Sequence, residues 1–257
     1  MTTLRAISIH VEFYFRGLWN WRTIMYGDLL QPIIYLIFLA AGMQNVVGNI
    51  NINENISVPY MAFAFSGLIG LIAFRSWPSI TFSVANDRKW GTFALKILNG
   101  YTPFQYIIST SVVGILLFVS QAGLLLIMGL ILGIRFSISN ILMCLLMSVC
   151  SVTFWAVIGT AIATFVQNYQ QRGLIITLTT LPMVFAAPIF YPLENIPLYL
   201  KIIAHINPLT YHVNSIRSAL FGSLDLVNAS VVIIAMIIAI FFGIWCVSKA
   251  EVLSKEW

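Results

Sequence analysis

The side chains that could carry out chemistry are few and scattered: the 257 residues include 8 Asp and Glu, 3 His and 3 Cys. Cys144 and Cys150 lie six positions apart within one apolar run. His205 and His212 lie seven positions apart, with Pro208 between them. Neither spacing is typical of a zinc site, and no Ser-His-Asp arrangement indicates nucleophilic catalysis. The sequence therefore predicts no metal site and no catalytic residue.

A phosphate-binding loop is also missing from the sequence. Such a loop ends in Gly-Lys followed by Ser or Thr, because backbone N–H groups and the lysine together hold the phosphates. No Gly in this chain is followed directly by Lys. The chain itself is therefore not expected to be an ATPase or to bind a cofactor.

One group of charged residues stands out, in the segment 85–102. It consists of a charged cluster and a Trp-Gly-Thr sequence: Asp87, Arg88, Lys89, Trp90, Gly91 and Thr92. An amphipathic stretch follows as far as Leu98, and the whole segment is longer than a turn between two helices requires. We predict a short helix over 87–98 that docks on another protein; the alternative is a helix that lies on lipid.

The elements that position these residues are strongly apolar. Hydrophobic residues make up 60% of the chain and charged residues 8%, against about 25% charged residues in a soluble domain. Six apolar runs have roughly the 20 residues with which a helix crosses a membrane, namely 29–47, 58–77, 104–134, 138–166, 174–190 and 226–248. Because backbone in lipid must satisfy its own hydrogen bonds, we predict an all-α integral membrane protein with six spans. It forms a single transmembrane domain over 1–257.

Residues 3–22 precede the first run and are predicted to form an amphipathic helix rather than a span. Apolar residues recur at steps of three and four from Leu4 to Phe15, while Glu12 and Arg16 form an i,i+4 pair on another face. This pattern favours a helix lying in the headgroup layer. An ordinary helix against soluble protein is the alternative.

Prolines and polar side chains interrupt the apolar pattern of the region 188–222, before the last run. The residues predicted to form an external gate or mouth are Pro188, Tyr191, Pro192, Glu194, Pro197, Asn207, Pro208, Tyr211 and Arg217. Since proline breaks a helix or starts one, we predict short helices at about 197–205 and 209–221. Irregular backbone at membrane depth is tolerated only against protein or a water-filled cavity, so this region is expected to shape the outer mouth of a pathway.

Two arginines have alternative interpretations. Arg75, near the end of the second run, is expected either to reach toward the headgroups or to pair with a carboxylate. Arg217 is expected either to lie at the external headgroup level or to pair with Glu194 or Asp225 and hold the mouth shut.

The distribution of Lys and Arg predicts the orientation. If both termini are cytoplasmic, ten basic residues lie inside and three lie outside, in agreement with the positive-inside rule. The three external ones are Arg135, Lys201 and Arg217. Because the basic residues punctuate the apolar runs and form no single patch, the net charge of +5 does not indicate nucleic-acid binding.

Several of these motifs resemble the type-two ABC transporter permeases, in the branch of daunorubicin-resistance and nodulation-factor export. The segment 87–92 is similar to the family's acidic-basic-x-x-Gly-Thr coupling segment, although Ala94 stands where members often carry an acid. Further matches are Gln31 to Leu36, Phe190 to Pro192, Ile196-Pro197, Asn207 to Tyr211, and Arg217.

The resemblance implies a permease that works as a dimer with a second copy or a homologue. Each half would dock on a cytoplasmic ABC ATPase subunit, two per complex, where ATP and Mg²⁺ would bind. It further implies ATP-driven export of an amphipathic or lipid-like substrate across a bacterial inner membrane, with lipids around the bundle.

Other functions remain open on the sequence. Within transport, the alternative is a permease for lipid-linked polysaccharide, but the basic, Trp-rich N-terminal pattern associated with such exporters is missing. A membrane-embedded lipid-modifying enzyme is disfavoured, because no catalytic polar residues cluster inside the runs. A structural or assembly protein is disfavoured only by the resemblance of the two connections.

Overall fold

A computed structural model describes residues 2–20, 22–53, 56–194 and 196–251, with the side chains of 18–25 and 53 excepted. Its elements, in chain order, are α1 (Thr3–Asn20), α2 (Arg22–Ile34), a π-helical stretch (Tyr35–Ala41), α3 (Gly42–Val47), β1 (Asn49–Asn53), β2 (Ile56–Pro59), α4 (Tyr60–Lys89), α5 (Thr92–Leu98), α6 (Pro103–Ile131), α7 (Ile138–Phe165), α8 (Tyr169–Ala186), α9 (Leu198–Ile206), α10 (Pro208–Leu220) and α11 (Leu226–Lys249). The end of the predicted helix 3–22 lies partly outside the described residues.

The all-α membrane fold predicted from composition is confirmed. Within the described residues, five helical stretches are long and apolar enough to cross a membrane: Tyr26–Val47, Tyr60–Lys89, Pro103–Ile131, Ile138–Phe165 and Leu226–Lys249. The predicted run 174–190 corresponds instead to α8, which has 18 residues and contains Pro182. Because α8 is not among the five, the predicted count of six spans is not confirmed.

Strands β1 and β2 form a β-hairpin between the first two apolar stretches. Strands β1 and β2 pair antiparallel, with Ile50 opposite Val58. Residues paired across two strands turn their side chains to the same face, and the side chains of Ile50 and Val58 are both buried. The second predicted span therefore begins at Tyr60 rather than at Val58.

Helix α4 forms the centre of the bundle, with α7 and α10 packed against it. Its contact with α7 is close because Gly159 has no side chain: a Cβ there would lie 2.5 Å from the Trp77 carbonyl oxygen. Small residues allow such approach between membrane helices, where burial of apolar surface gives little driving force. Thr81 fixes the same crossing by donating to the carbonyls of Trp77 (2.8 Å) and Gly159 (3.2 Å).

The short helices predicted near the ends of the bundle are present, with one change of bounds. The predictions at 197–205 and 209–221 are confirmed by α9 and α10. The helix predicted over 87–98 begins only at Thr92, because α4 continues through Lys89 and Gly91 then adopts φ +73°, a left-handed conformation that favours glycine.

Helix α1 lies along the bundle with one face covered and one face open. Ala6 and His10 are buried, whereas Leu4 is 80% exposed. The exposed Glu12 and Arg16 side chains form the predicted i,i+4 ion pair at 2.6 Å. A helix with a protein-facing stripe and an exposed apolar residue is compatible with the predicted position at a membrane surface.

Candidate functional site

Asp87 joins three helices at the C-terminal end of α4, which we call the inner end because the distribution of Lys and Arg predicts it to be cytoplasmic. Lys96 Nζ lies 2.6 Å from its Oδ2, and the Tyr106 hydroxyl donates to the same oxygen at 3.1 Å. The Thr92 hydroxyl donates to Oδ1 at 2.9 Å. The Asp87 and Lys96 side chains are only 11% and 10% exposed, so the hydrogen bond between these charges is well shielded from water. Asp87 thus fixes α5 and the start of α6 against α4.

Arg88 is buried and faces the opposite direction from Asp87. Its guanidinium donates to the carbonyl oxygens of Ala163 and Thr164, in the last turn of α7. It also donates to the Glu251 carbonyl at 3.2 Å and lies 5.7 Å from the centre of the Phe93 ring. Because the last carbonyls of a helix lack partners within the helix, Arg88 acts as a capping group for α7.

Three large apolar side chains of this segment are exposed. Trp90, Leu95 and Leu98 are 75%, 59% and 77% exposed, and we call them the apolar triad. Phe93 and Ala94 are buried on the other face of α5. Of the predicted charged cluster, Lys89 alone is exposed. The structure therefore offers a hydrophobic surface, rather than a charged one, at the inner end of the bundle.

Helix α1 is tied to the same segment. The Tyr101 hydroxyl donates to the Ala6 carbonyl at 2.9 Å, and burial raises the pKa of that hydroxyl, so it stays protonated. The His10 ring meets the Tyr106 ring edge-on, with centroids 5.5 Å apart. Burial lowers the pKa of His10 to about 4, which keeps the imidazole neutral near pH 7.

At the other end of α4, Arg217 is nearly enclosed, with 4% of its surface exposed. Its Nε donates to the Ser66 hydroxyl at 3.0 Å, and its Nη2 donates to the Pro188 carbonyl at 2.6 Å. The guanidinium carbon lies 3.7 Å from the centre of the Phe63 ring. These contacts join α10 to the first turns of α4 and to the chain after α8.

The structure contradicts one sequence interpretation of Arg217, and the other stays a prediction. Placement at the external headgroup level is the one that stays a prediction, although α4 and α10 bury the side chain. Within the described residues it forms no ion pair with Glu194 or Asp225. The partners it does have are neutral oxygens and an aromatic face. For Arg75, the carboxylate alternative is confirmed, since its Nη2 lies 2.6 Å from Asp28 Oδ1.

Asn207 connects the helices of the external region. Its side-chain oxygen accepts from the Leu209 N–H at 3.0 Å and caps α10, whose first residue is Pro208. Its amide nitrogen donates to the Met183 carbonyl at 2.7 Å, near the end of α8. One side chain thus sets where α8 ends and α10 begins.

The remaining predicted gate residues divide between structural and exposed positions. The Tyr191 hydroxyl donates to the Phe185 carbonyl, and the Tyr211 hydroxyl donates to the His205 carbonyl at 2.8 Å. Glu194 and Pro197 are exposed. Tyr191 therefore stabilises the chain that follows α8, and Tyr211 stabilises the connection between α9 and α10.

A cleft of about 410 Å³ lies between the β-hairpin, α4, α10 and the start of α11. We call it the external cleft because the sequence predicts this end of the bundle to be external. The polar residues along it include Asn51, Glu194, Asn214, Arg217, Ser223 and Asp225. Of the predicted gate residues, the cleft brings together Pro188, Pro192, Glu194 and Arg217. The other five, which are Tyr191, Pro197, Asn207, Pro208 and Tyr211, do not line it.

Several residues of these sites were not predicted from the sequence. Lys96 lies nine positions after Asp87 in an amphipathic stretch, where its charge could have indicated a partner on the previous helix. Ser66 gave no signal, because it lies 151 positions from Arg217 in an apolar run.

Comparison with known proteins identifies the family. Residues 7–221 match the family described as ABC-2 type transporter. The chain belongs to that family. The matched range includes all of the segment 85–102 and most of the region 188–222. The chain is thus a multi-pass membrane transport permease.

Several relatives are similar to this ABC-2 permease over most of their length. The transport permease ycf38 of Cyanophora paradoxa is 25% identical over 74% of this chain and 66% of its own length, slightly under two thirds. The inner membrane transport permease YadH of Escherichia coli K12 is 22% identical over 84% of this chain and 85% of its own. Nodulation protein J of Rhizobium leguminosarum bv. viciae is 25% identical over 76% of this chain and 74% of its own length.

Proposed function

We infer that this permease is the membrane subunit of an ATP-driven exporter that moves an amphipathic or lipid-like substrate out of the cytoplasm or the inner leaflet. The observation that carries the proposal is the apolar triad at the inner end of α4. Leu95 and Leu98 are exposed on helix α5, whose opposite face is fixed by buried charges, and Trp90 is exposed just before that helix. An exposed apolar patch on a rigid element is typical of a protein interface. For an ABC-2 permease, the expected partner is an ABC ATPase subunit that binds ATP and Mg²⁺.

Helix α4 offers a direct mechanical connection between the ATPase and the external region. It is 30 residues long and therefore spans about 45 Å. Asp87 anchors α5 at its inner end, while Phe63 and Ser66 contact Arg217 of α10 at its outer end. A displacement of α5 by the ATPase would be transmitted along α4 to α10 and to the external cleft.

The proposal includes orientation, assembly and location. Both termini and the apolar triad are placed in the cytoplasm, and the external cleft is placed outside, in accordance with the positive-inside rule. A second copy or a homologue would complete a dimer, and two ATPase subunits would dock on it. The name of the Escherichia coli relative supports a location in the bacterial inner membrane.

The docking surface is tested by Leu98→Asp, with Asn99→Asp as a matched control. Both positions are exposed and adjacent, and both variants add one negative charge, but only the first removes apolar contact area. We expect Leu98→Asp to reduce the ABC ATPase that co-purifies with the permease by about tenfold, because a charge at the core of an apolar interface is poorly tolerated. Asn99→Asp should retain most of the ATPase. The measurement is co-purification of an ABC ATPase that binds the unmodified permease, followed by its rate of ATP hydrolysis.

The alternative, in which α5 lies on lipid, gives a different result. In that case Leu98→Asp would weaken the membrane contact of α5 and leave the ATPase bound. Full co-purification with unchanged ATP hydrolysis would therefore rule out the apolar triad as the docking surface.

A further inference from the structure

The external cleft contains a buried positive charge that lacks a charged partner. Within the described part of the chain, Arg217 donates to three neutral oxygens, those of Ser66, Pro188 and Phe63, and its Nη1 makes no hydrogen bond. A buried charge is costly unless it is paired, and neutral acceptors with an aromatic face compensate for it only in part. Because Arg217 lines the cleft, a ligand in the cleft can supply the missing negative charge.

Two carboxylates line the same cleft. Glu194 is exposed, and within the described residues its side chain has no ion-pair partner. Asp225 caps α11 by accepting from the Val227 N–H at 2.9 Å, and its second oxygen accepts only from the neutral side-chain amide of Asn228. A ligand with only negative charge would be repelled by these carboxylates, and a ligand with only positive charge would be repelled by Arg217.

The cleft also has the polarity and the depth that a headgroup requires. Ser223 lines it with a buried hydroxyl that has no hydrogen-bond partner in the described part of the chain. Ser66, to which Arg217 donates, lies six residues into α4, which corresponds to about 9 Å below the outer end of that helix. The site therefore lies near the end of α4 rather than at its middle, where a headgroup rather than an acyl chain is expected.

We propose that the external cleft binds a zwitterionic headgroup, in which a phosphate or carboxylate pairs with Arg217 and an amine a few atoms away faces Glu194 and Asp225. The guanidinium and Ser223 supply donors for the anionic group, as arginine does at other phosphate sites. The inference rests on the proposed export function, for which it names the substrate class: an amphipath bearing both charges on its polar end. The headgroup would occupy the cleft as the substrate leaves on the outer side.

The test measures binding to the purified full-length permease in non-ionic detergent, without the ATPase. The probes are dihexanoyl-phosphatidylethanolamine, which is zwitterionic, dihexanoyl-phosphatidylglycerol, which is anionic only, and soluble glycerophosphoethanolamine. We expect the first lipid to bind at least tenfold more tightly than the second. Tight binding of glycerophosphoethanolamine would support the site and assign recognition to the headgroup alone, whereas binding of the lipid only would support it and assign part of the affinity to the chains.

Three variants identify the residues involved. Arg217→Gln should weaken the binding of both lipids at least tenfold, while Arg217→Lys, which keeps the charge and the fold, should weaken it less. Glu194→Gln changes an exposed side chain, so it should fold normally, weaken phosphatidylethanolamine binding and strengthen phosphatidylglycerol binding. Arg135→Gln, which removes an exposed arginine outside the cleft, is the matched control and should change neither affinity.

The proposal fails if the two lipids bind the unmodified permease equally, or if Glu194→Gln does not change their relative affinity. It also fails if a folded Arg217 variant, with a melting temperature near that of the parent, binds as tightly as the parent does. Because the ATPase is absent from this test, its failure would leave the proposed export function standing. Conversely, loss of ATP-driven export with intact headgroup binding would contradict the proposed function and not the site.

Discussion

At the scale of single residues, the buried charged groups at the two sites serve as anchors, while large apolar side chains of the segment 85–102 are exposed. Asp87 and Arg88 were expected to form a docking surface, yet both are largely enclosed by the bundle. A sequence shows that a residue is charged but not which way it points, and a long-range partner decides that. Arg217 illustrates the same limit, since its partner Ser66 lies 151 positions away.

His10 provides a prediction at this scale. Burial lowers the pKa of its imidazole to about 4 in the packed state, against about 6.5 when it is free. An unpacked α1 therefore takes up a proton below pH 6.5 that the packed α1 takes up only near pH 4. The free energy of unfolding should be highest above pH 6.5 and should fall as the pH decreases from 6.5 to 4, by on the order of 3 kcal/mol for this group.

The measurement is the melting temperature of the detergent-purified permease at pH 7.5 and at pH 5. We expect the difference between the two pH values to shrink in His10→Leu, which cannot be protonated. His205→Leu replaces an exposed histidine and should leave the difference unchanged. Equal pH dependence in the parent and in His10→Leu would show that packing of α1 is not linked to protonation of His10.

At the scale of elements, local chemistry predicted the short helices well. Pro197 precedes α9, and Asn207 with Pro208 supplies the cap and the first residue of α10. The β-hairpin was missed although Ile and Asn alternate from Asn49 to Asn53, a two-residue period that is typical of a strand. The run 174–190 was extended too far, since Pro188 and the chain after Ala186 belong to the external region rather than to α8.

Packing between α4 and α7 gives a prediction for Gly159. A methyl group at this position would lie 2.5 Å from the Trp77 carbonyl oxygen and 3.0 Å from the Thr81 hydroxyl oxygen. Because the first of these atoms belongs to the backbone, the helices must separate, and overpacking of this kind typically costs about 1–3 kcal/mol. We expect Gly159→Ala to lower the melting temperature in detergent by several degrees.

Gly123 in α6 is the matched control for this substitution. It is also a helical glycine, but a Cβ there meets nothing within 4 Å. Gly123→Ala should leave the melting temperature unchanged or raise it slightly, since alanine favours a helix more than glycine does. A similar loss of stability in both variants would indicate that helix propensity, and not the α4–α7 contact, accounts for the effect at Gly159.

At the scale of the whole molecule, the two sites lie at opposite ends of one helix, and this arrangement determines the function we propose. The apolar triad follows the inner end of α4, and Arg217 binds its outer end. Composition alone was enough to predict a membrane protein with helical spans. The connection through α4 could not be predicted, because it depends on which helices become neighbours when the bundle forms.

Orientation is the prediction that tests this arrangement directly. Asn51, in the hairpin, and Asn86, near the inner end of α4, are both exposed, so a cysteine at either position should react without disturbing the core. The native Cys144, Cys150 and Cys246 would first be replaced by Ser or Ala, and Asn51→Cys and Asn86→Cys introduced separately. Positive-inside charge predicts that a membrane-impermeant maleimide added to intact cells labels Asn51→Cys, and that Asn86→Cys reacts only after the membrane is opened.

Since α4 connects the two positions, labelling of both from the same side would mean that α4 does not cross the membrane, and the coupling through it would then be untenable. Opposite sides in the reverse order would place the apolar triad outside the cell, where no ATPase could reach it.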